Sequence, residues 1–180
     1  MTDDNDPMRD ALAIADMVFL DKESLTLSPL QAESGINKMV IAEVVARYTL
    51  IDQLLGEIIA SYFLNVEPLS QRYASLSSER ERIFNHHVLD EMYLLKKLAI
   101  VNAANPLPSE LTGVVQKLNA VRNALAHSFY PENRKEYRSS GKVTYNGLDI
   151  RTPKGLRKFI DDTGEVVGHF QERAYGPGLG

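Results

Sequence analysis

Apolar side chains recur along most of this chain at intervals of three and four, the spacing that gathers them on one face of an α-helix. Met8, Leu12, Ala15, Val18 and Phe19 predict a first helix over roughly residues 7–21. Ser28-Pro29 follows, with Gln31 three residues after the Ser. A capping Ser with Pro at the first helical position opens a helix or helical turn there. The main apolar run spans about residues 36–64, and Pro68 lies beyond its end. Ser78-Glu79-Arg80-Glu81 reads as a capping box opening a third helix to about Val101. Asn105-Pro106-Leu107-Pro108 is a rigid loop, after which Pro108 or Ser109 begins a fourth helix through Leu111, Val114, Val115, Leu118, Val121 and Leu125.

After Pro131 the pattern changes. Lys142-Val143-Thr144-Tyr145, Asn146-Gly147 and Leu148-Asp149-Ile150 predict a β-hairpin, because Asn-Gly suits a two-residue type I′ turn. Thr152-Pro153 caps a last helix with the stripe Leu156, Phe159, Ile160, Thr163, Val167 and Phe170, and the spacing carries across Gly164 as one helix. The expected fold is mainly all-α: a four- to five-helix bundle with a short β-hairpin before the last helix. It is read as one domain over residues 1–180, with loose ends at 1–7 and 176–180 and a hairpin insertion at 138–151.

Composition narrows the chemistry. A chain of 180 residues, 44% of them apolar, can bury one good-sized core. The formal charge of −4 and pI near 5.6 argue against a surface coated in positive charge for gripping nucleic acid non-specifically. A local basic cluster remains compatible with that balance. With no cysteine there are no disulfides, thiolate metal sites or cysteine nucleophiles. The acidic start MTDDNDPMRD is no signal peptide, and Glu43, Arg47, Asp52 and Glu57 interrupt the apolar run of residues 39–64. No membrane association and a cytoplasmic location are expected. Phosphate-loop, dinucleotide and nucleophile-elbow signatures are missing from the sequence, and no cofactor is expected.

Three charged residues fall on apolar faces. Arg122 lies inside the arc of the fourth helix, one turn past Leu118. A guanidinium cannot shed its charge, so it requires a carboxylate, a cleft or a subunit interface. Asp52, among Tyr48, Ile51, Leu55 and Ile59, and Glu91, near Leu95 and Leu98, are the candidate partners. Either they form a buried structural ion pair with Arg122, or they hold it in a working geometry. Asn123 and His127 are four apart on one helix face, whereas Arg122 and His127 stand about 140° apart on an ideal helix. A frayed helix end, or a second copy across a two-fold axis, would bring Arg122 and His127 together. His86 and His87, with Glu91 four residues after His87, lack a third ligand at metal spacing, so no metal is expected. His169 is read as isolated and exposed in the last helix.

Leu118-Asn119-Ala120-Val121-Arg122-Asn123-Ala124-Leu125-Ala126-His127 resembles the signature of HEPN domains, an Arg, a polar residue and a His four to six positions after the Arg. Tyr48-Thr49-Leu50-Ile51-Asp52-Gln53-Leu54-Leu55 also resembles the long second helix of that family, and the likeness covers roughly residues 36–130. The resemblance implies a homodimer whose two motifs face one cleft. It further implies a metal-independent endoribonuclease acting on RNA, of a toxin or defence class, with an antitoxin protein as a partner. Other members are non-catalytic modules that bind a partner protein or nucleotide, the alternative for this chain. The implied catalytic residues are Arg122 and His127, with Asn123 in support. His127 is suited to acid–base work on the 2′-hydroxyl or the leaving oxygen, and Arg122 to holding the phosphate. Some of these toxins carry a modified Tyr two residues after the His; here that place is Phe129, with Tyr130 next. Arg134, Lys135, Arg138 and Lys142, interleaved with Tyr130 and Tyr137, form a basic run. It reads either as a solvated loop or as an RNA contact formed by Tyr130, Arg134, Lys135 and Arg138.

Overall fold

Pro29, with its φ already near the helical value, begins the longest element, α1 (Pro29–Leu64), 36 residues without a break. The expected opening turn and the main apolar run are therefore one helix. The computed structural model describes residues 29–64, 79–126 and 142–176. Among these it is mainly helical, with five α-helices and a two-stranded hairpin before the last. The expected helix over residues 7–21 and the caps at Ser28 and Ser78 lie outside the described residues. The chain groups into two units, Met1–Val40 and Ile41–Gly180, and the elements below belong to the second, together with α1 from Ile41 onward.

This part of α1 buries Val44, Ile51, Leu54, Leu55, Ile59 and Ala60. The expected third helix is broken. α2 (Glu79–Phe84) passes into a π-helical turn, Asn85–Leu89. A bend at residues 90–93 then separates it from α3 (Leu94–Ala104), which Tyr93 precedes in extended conformation. Leu89 and Leu94 are both buried, and a five-residue interval is out of phase with a 3.6-residue helix. Breaking the helix lets both reach the core, and Glu91 is left exposed on the bend. The following loop is fixed by Asn102 Oδ1, which accepts from the backbone N–H of Leu107 at 2.9 Å.

α4 (Ser109–Ala126) buries Leu111, Val115, Leu118, Val121, Ala124 and Leu125, with Val114 half-buried at the margin. The hairpin pairs β1 (Thr144–Tyr145) antiparallel to β2 (Leu148–Asp149). Asn146 and Gly147 both take positive φ, 49° and 78°, as a type I′ turn requires. Tyr145 is buried and meets the Phe159 ring edge-on, centroids 5.3 Å apart.

α5 (Pro153–Tyr175) begins as expected, the Thr152 side chain accepting from Gly155 N at 3.1 Å with Pro153 in the first turn. It runs unbroken across Gly164 and buries Phe159, Thr163, Val166, Phe170 and Ala174. Leu156, Ile160 and Val167 of the expected stripe are half-buried beside this row. Side chains of α1 reach three other helices: Arg47 to α5, Tyr48 to α4 and Asp52 to α3. No described helix is long and apolar enough to cross a membrane.

Candidate functional site

Arg122 stands one turn before the end of α4, half-buried at the edge of the apolar arc. Its guanidinium carbon lies 4.9 Å from the centre of the Tyr48 ring, within the range where a cation is drawn to an aromatic face. Nη1 donates to Oδ1 of the adjacent Asn123 at 3.2 Å. Both contacts leave the positive charge intact: a ring face attracts a cation without neutralising it, and an amide oxygen is uncharged. Among the described residues no carboxylate pairs with Arg122.

The expected ion pairs of Arg122 with Asp52 or Glu91 do not form. Asp52 accepts instead from Lys97 Nζ at 2.6 Å, in a pair whose lysine side chain is only 6% exposed. Lys97 falls in the buried row Leu94, Lys97, Leu98 and Val101 of α3, so the cation available to Asp52 comes from that helix. Glu91 is removed by the bend that ends the π-helical turn. The carboxylate reading thus gives way to an aromatic and amide setting for Arg122. His127, Tyr130, Arg134, Lys135 and Arg138 lie outside the described residues, so the structure brings together Arg122, Asn123 and Tyr48 and says nothing of the rest.

His86 pairs through Nδ1 with Asp90 Oδ2 at 3.1 Å on the exposed face of the π-helical turn, and His87 is exposed. Among the described residues no group of three or more His, Asp or Glu side chains is placed to hold a metal. His169 is half-buried rather than exposed, its ring tilted against Phe170 with centroids 6.2 Å apart.

Two polar systems went unread in the sequence. Arg47 donates from Nε to Glu43 at 2.6 Å and from Nη1 to Ile160 O and Thr163 Oγ1, each at 3.2 Å. It thereby supplies a carbonyl of α5 with an extra donor. At the hairpin, Asp162 accepts from Tyr145 Oη at 3.0 Å, Asn146 Nδ2 at 3.1 Å and Lys158 Nζ at 2.8 Å. Lys117 Nζ reaches Asn146 Oδ1 at 2.6 Å from α4. Burial, and then the Asp162 carboxylate, push the Tyr145 phenol well above the ordinary tyrosine range. The readable signals were the cations placed within apolar rows, Arg47 near Val44 and Ile51, and Lys97 near Leu94 and Val101.

No protein-family model, no curated protein and no solved structure matches the chain.

Proposed function

We propose that the chain is a HEPN-type endoribonuclease that cleaves RNA without a metal, working as a homodimer in a toxin or defence role with an antitoxin protein as its partner. The observation that supports this reading is the setting of Arg122. It is a half-buried guanidinium held by a ring face and a neutral amide, with no carboxylate on it among the described residues. A purely structural arginine at such a position is ordinarily paired. This one keeps its charge and its fork of donors for an anion such as an RNA phosphate.

In the proposed reaction His127 takes the proton of a 2′-hydroxyl, or supplies one to the leaving 5′-oxygen. The 2′-oxygen attacks the adjacent phosphorus, the bond to the 5′-oxygen breaks, and the products are a 2′,3′-cyclic phosphate and a 5′-hydroxyl. Arg122 stabilises the charge that grows on the phosphoryl oxygens, and Asn123 fixes the guanidinium plane through its Oδ1.

The test is incubation of the purified protein with total RNA and tRNA in EDTA, beside Arg122→Ala and His127→Ala. Cleavage leaving cyclic-phosphate ends, reduced by about 10²–10³ in each variant while both stay folded, is the expected result. The net charge of −4 favours a second reading, a non-catalytic module of the same type. A folded wild-type protein that cleaves no RNA would replace the first reading with that one.

A further inference from the structure

The last turn of α1 presents aromatic surface that the fold leaves in water. Tyr62 and Phe63 are 64% and 55% exposed, their rings edge-on with centroids 5.2 Å apart. Side chains of this size are ordinarily withdrawn from solvent, and neighbouring ones left exposed beside a cavity mark a surface that a ligand covers. The cavity here has a volume of about 300 Å³, at the lower end of the range for small-molecule sites. Besides the two rings, Ile58 and Ile59 of α1 and Ile100 and Val101 of α3 line it. All of these residues belong to the unit of residues 41–180.

One residue of a different kind joins this apolar wall. Arg173, in the last turn of α5, is the one charged side chain among the described residues that line the cavity. It is half-buried and donates from Nη2 to Asn105 O, the carbonyl just past the end of α3, at 2.9 Å. That bond tethers the guanidinium at the cavity, but a neutral carbonyl leaves its charge unbalanced. The negative end of the α5 dipole favours a cation there without neutralising it. Among the described residues no carboxylate pairs with Arg173, and burial lowers its pKa from the ordinary arginine value. A guanidinium keeps its proton at neutral pH all the same, so a partly desolvated positive charge stands at the edge of an apolar cavity.

The wall calls for an apolar body, and the single cation for a single negative charge. A carboxylate carries that one charge on two coplanar oxygens, which a guanidinium fork meets with two parallel N–H donors. A phosphate monoester brings up to two charges, more than one arginine balances. We propose that this cavity binds a monocarboxylic acid with an apolar tail, such as a medium-chain fatty acid, its head on Arg173 and its tail along Ile59, Ile100 and the edge formed by Tyr62 and Phe63. The site shares no residue with the Arg122 setting, and its occupancy does not depend on RNA cleavage.

The test uses the full chain and four probes, butanoate, hexanoate, octanoate and the uncharged hexan-1-ol. Each is titrated separately at neutral pH and constant ionic strength, followed by backbone amide shifts. Octanoate is expected to saturate with a dissociation constant of about 1 mM or below, with shifts centred on Tyr62, Ile100 and Asn105. A fully buried methylene strengthens binding about fourfold, so in this partly open cavity affinity should rise about threefold to tenfold for every two carbons. Hexan-1-ol should bind about fivefold or more weakly than hexanoate. Arg173→Met keeps an apolar stem and should bring hexanoate down to the level of hexan-1-ol while leaving the alcohol unchanged, a pattern that a damaged fold would not give. Ala104→Leu, at an exposed position on the lining, should weaken both ligands alike by filling the cavity. Failure of octanoate to saturate by about 20 mM, or undiminished hexanoate binding by Arg173→Met, overturns the proposal. So does equal binding of hexanoate and hexan-1-ol, which would point to a wholly apolar occupant.

Discussion

Among the described glycines Gly155 is the one whose added Cβ would meet other atoms closer than 3.0 Å, and Gly155→Ala tests how the hairpin and α5 are joined. A Cβ at this position would lie 2.0 Å from Asp149 O, 2.7 Å from Asp149 C and 3.2 Å from Ile150 Cα. All three are backbone atoms, so no rotamer change relieves the clash. To move from 2.0 Å to at least 3.0 Å, below which real Cβ atoms are essentially never found, the hairpin and the helix start must part by about 1 Å. Overpacking of this kind costs about 1–3 kcal/mol. The shift also strains the Thr152 cap, whose bond to Gly155 N is 3.1 Å long and whose loss costs about 1 kcal/mol. Alanine returns up to about 1 kcal/mol through helix propensity. The net expectation is a loss of about 1–4 kcal/mol, or roughly 2–16 °C in melting temperature for a chain of this size. Gly168→Ala, in the same helix with nothing within 4 Å of the added carbon, should instead stabilise by up to about 1 kcal/mol. Urea and thermal unfolding followed by far-ultraviolet circular dichroism compare the two. A Gly155→Ala protein as stable as the wild type would refute the close contact on which the reasoning depends.

Two further outcomes follow from the polar contacts. The Tyr145 phenol is held above the ordinary tyrosine value of 10.0 by burial and by Asp162, so between pH 10 and its folded value the native state binds the extra proton. Its contribution is complete below pH 10 and is lost as pH rises, at up to about 1.4 kcal/mol per pH unit. Urea midpoints measured from pH 9 to 11.5 should fall less steeply in Tyr145→Phe, and parallel slopes would contradict the assignment. Tyr48→Leu keeps an apolar side chain under Arg122 but removes the ring face. It should cost under about 1 kcal/mol in stability and, if the proposed cleavage holds, lower the rate about tenfold, whereas an unchanged cleavage rate would show that the ring does not position the guanidinium.

Much of the architecture was legible because its signals are local. The Thr152-Pro153 start of α5, the Asn146-Gly147 turn and the apolar row from Leu111 to Leu125 each depend on neighbours a few residues apart, and each appears as read. The break between α2 and α3 was not legible, since it arises from the need to bury both Leu89 and Leu94 against other helices. Arg122 and Asp52 were recognisable as charges on apolar faces. Their partners were not, because a misplaced charge signals that a partner is needed without naming it. Asp52 finds Lys97 across 45 positions, and Tyr48 was counted as part of an apolar row when its ring face is what meets the guanidinium.

Consecutive and near-consecutive residues of α1 reach different neighbours: Arg47 the α5 carbonyl of Ile160, Tyr48 the guanidinium of α4, and Asp52 the ammonium of α3. With a rise of about 1.5 Å per residue, these three attachments fall within about 8 Å of helix length. Such a helix cannot swing away from one neighbour as a hinge, because the same short stretch is fastened to the other two. Opening that exposes the backbone here therefore releases three contacts at once, and the amide protons in the middle of α1 are expected to exchange with the whole unit of residues 41–180 rather than through local fraying.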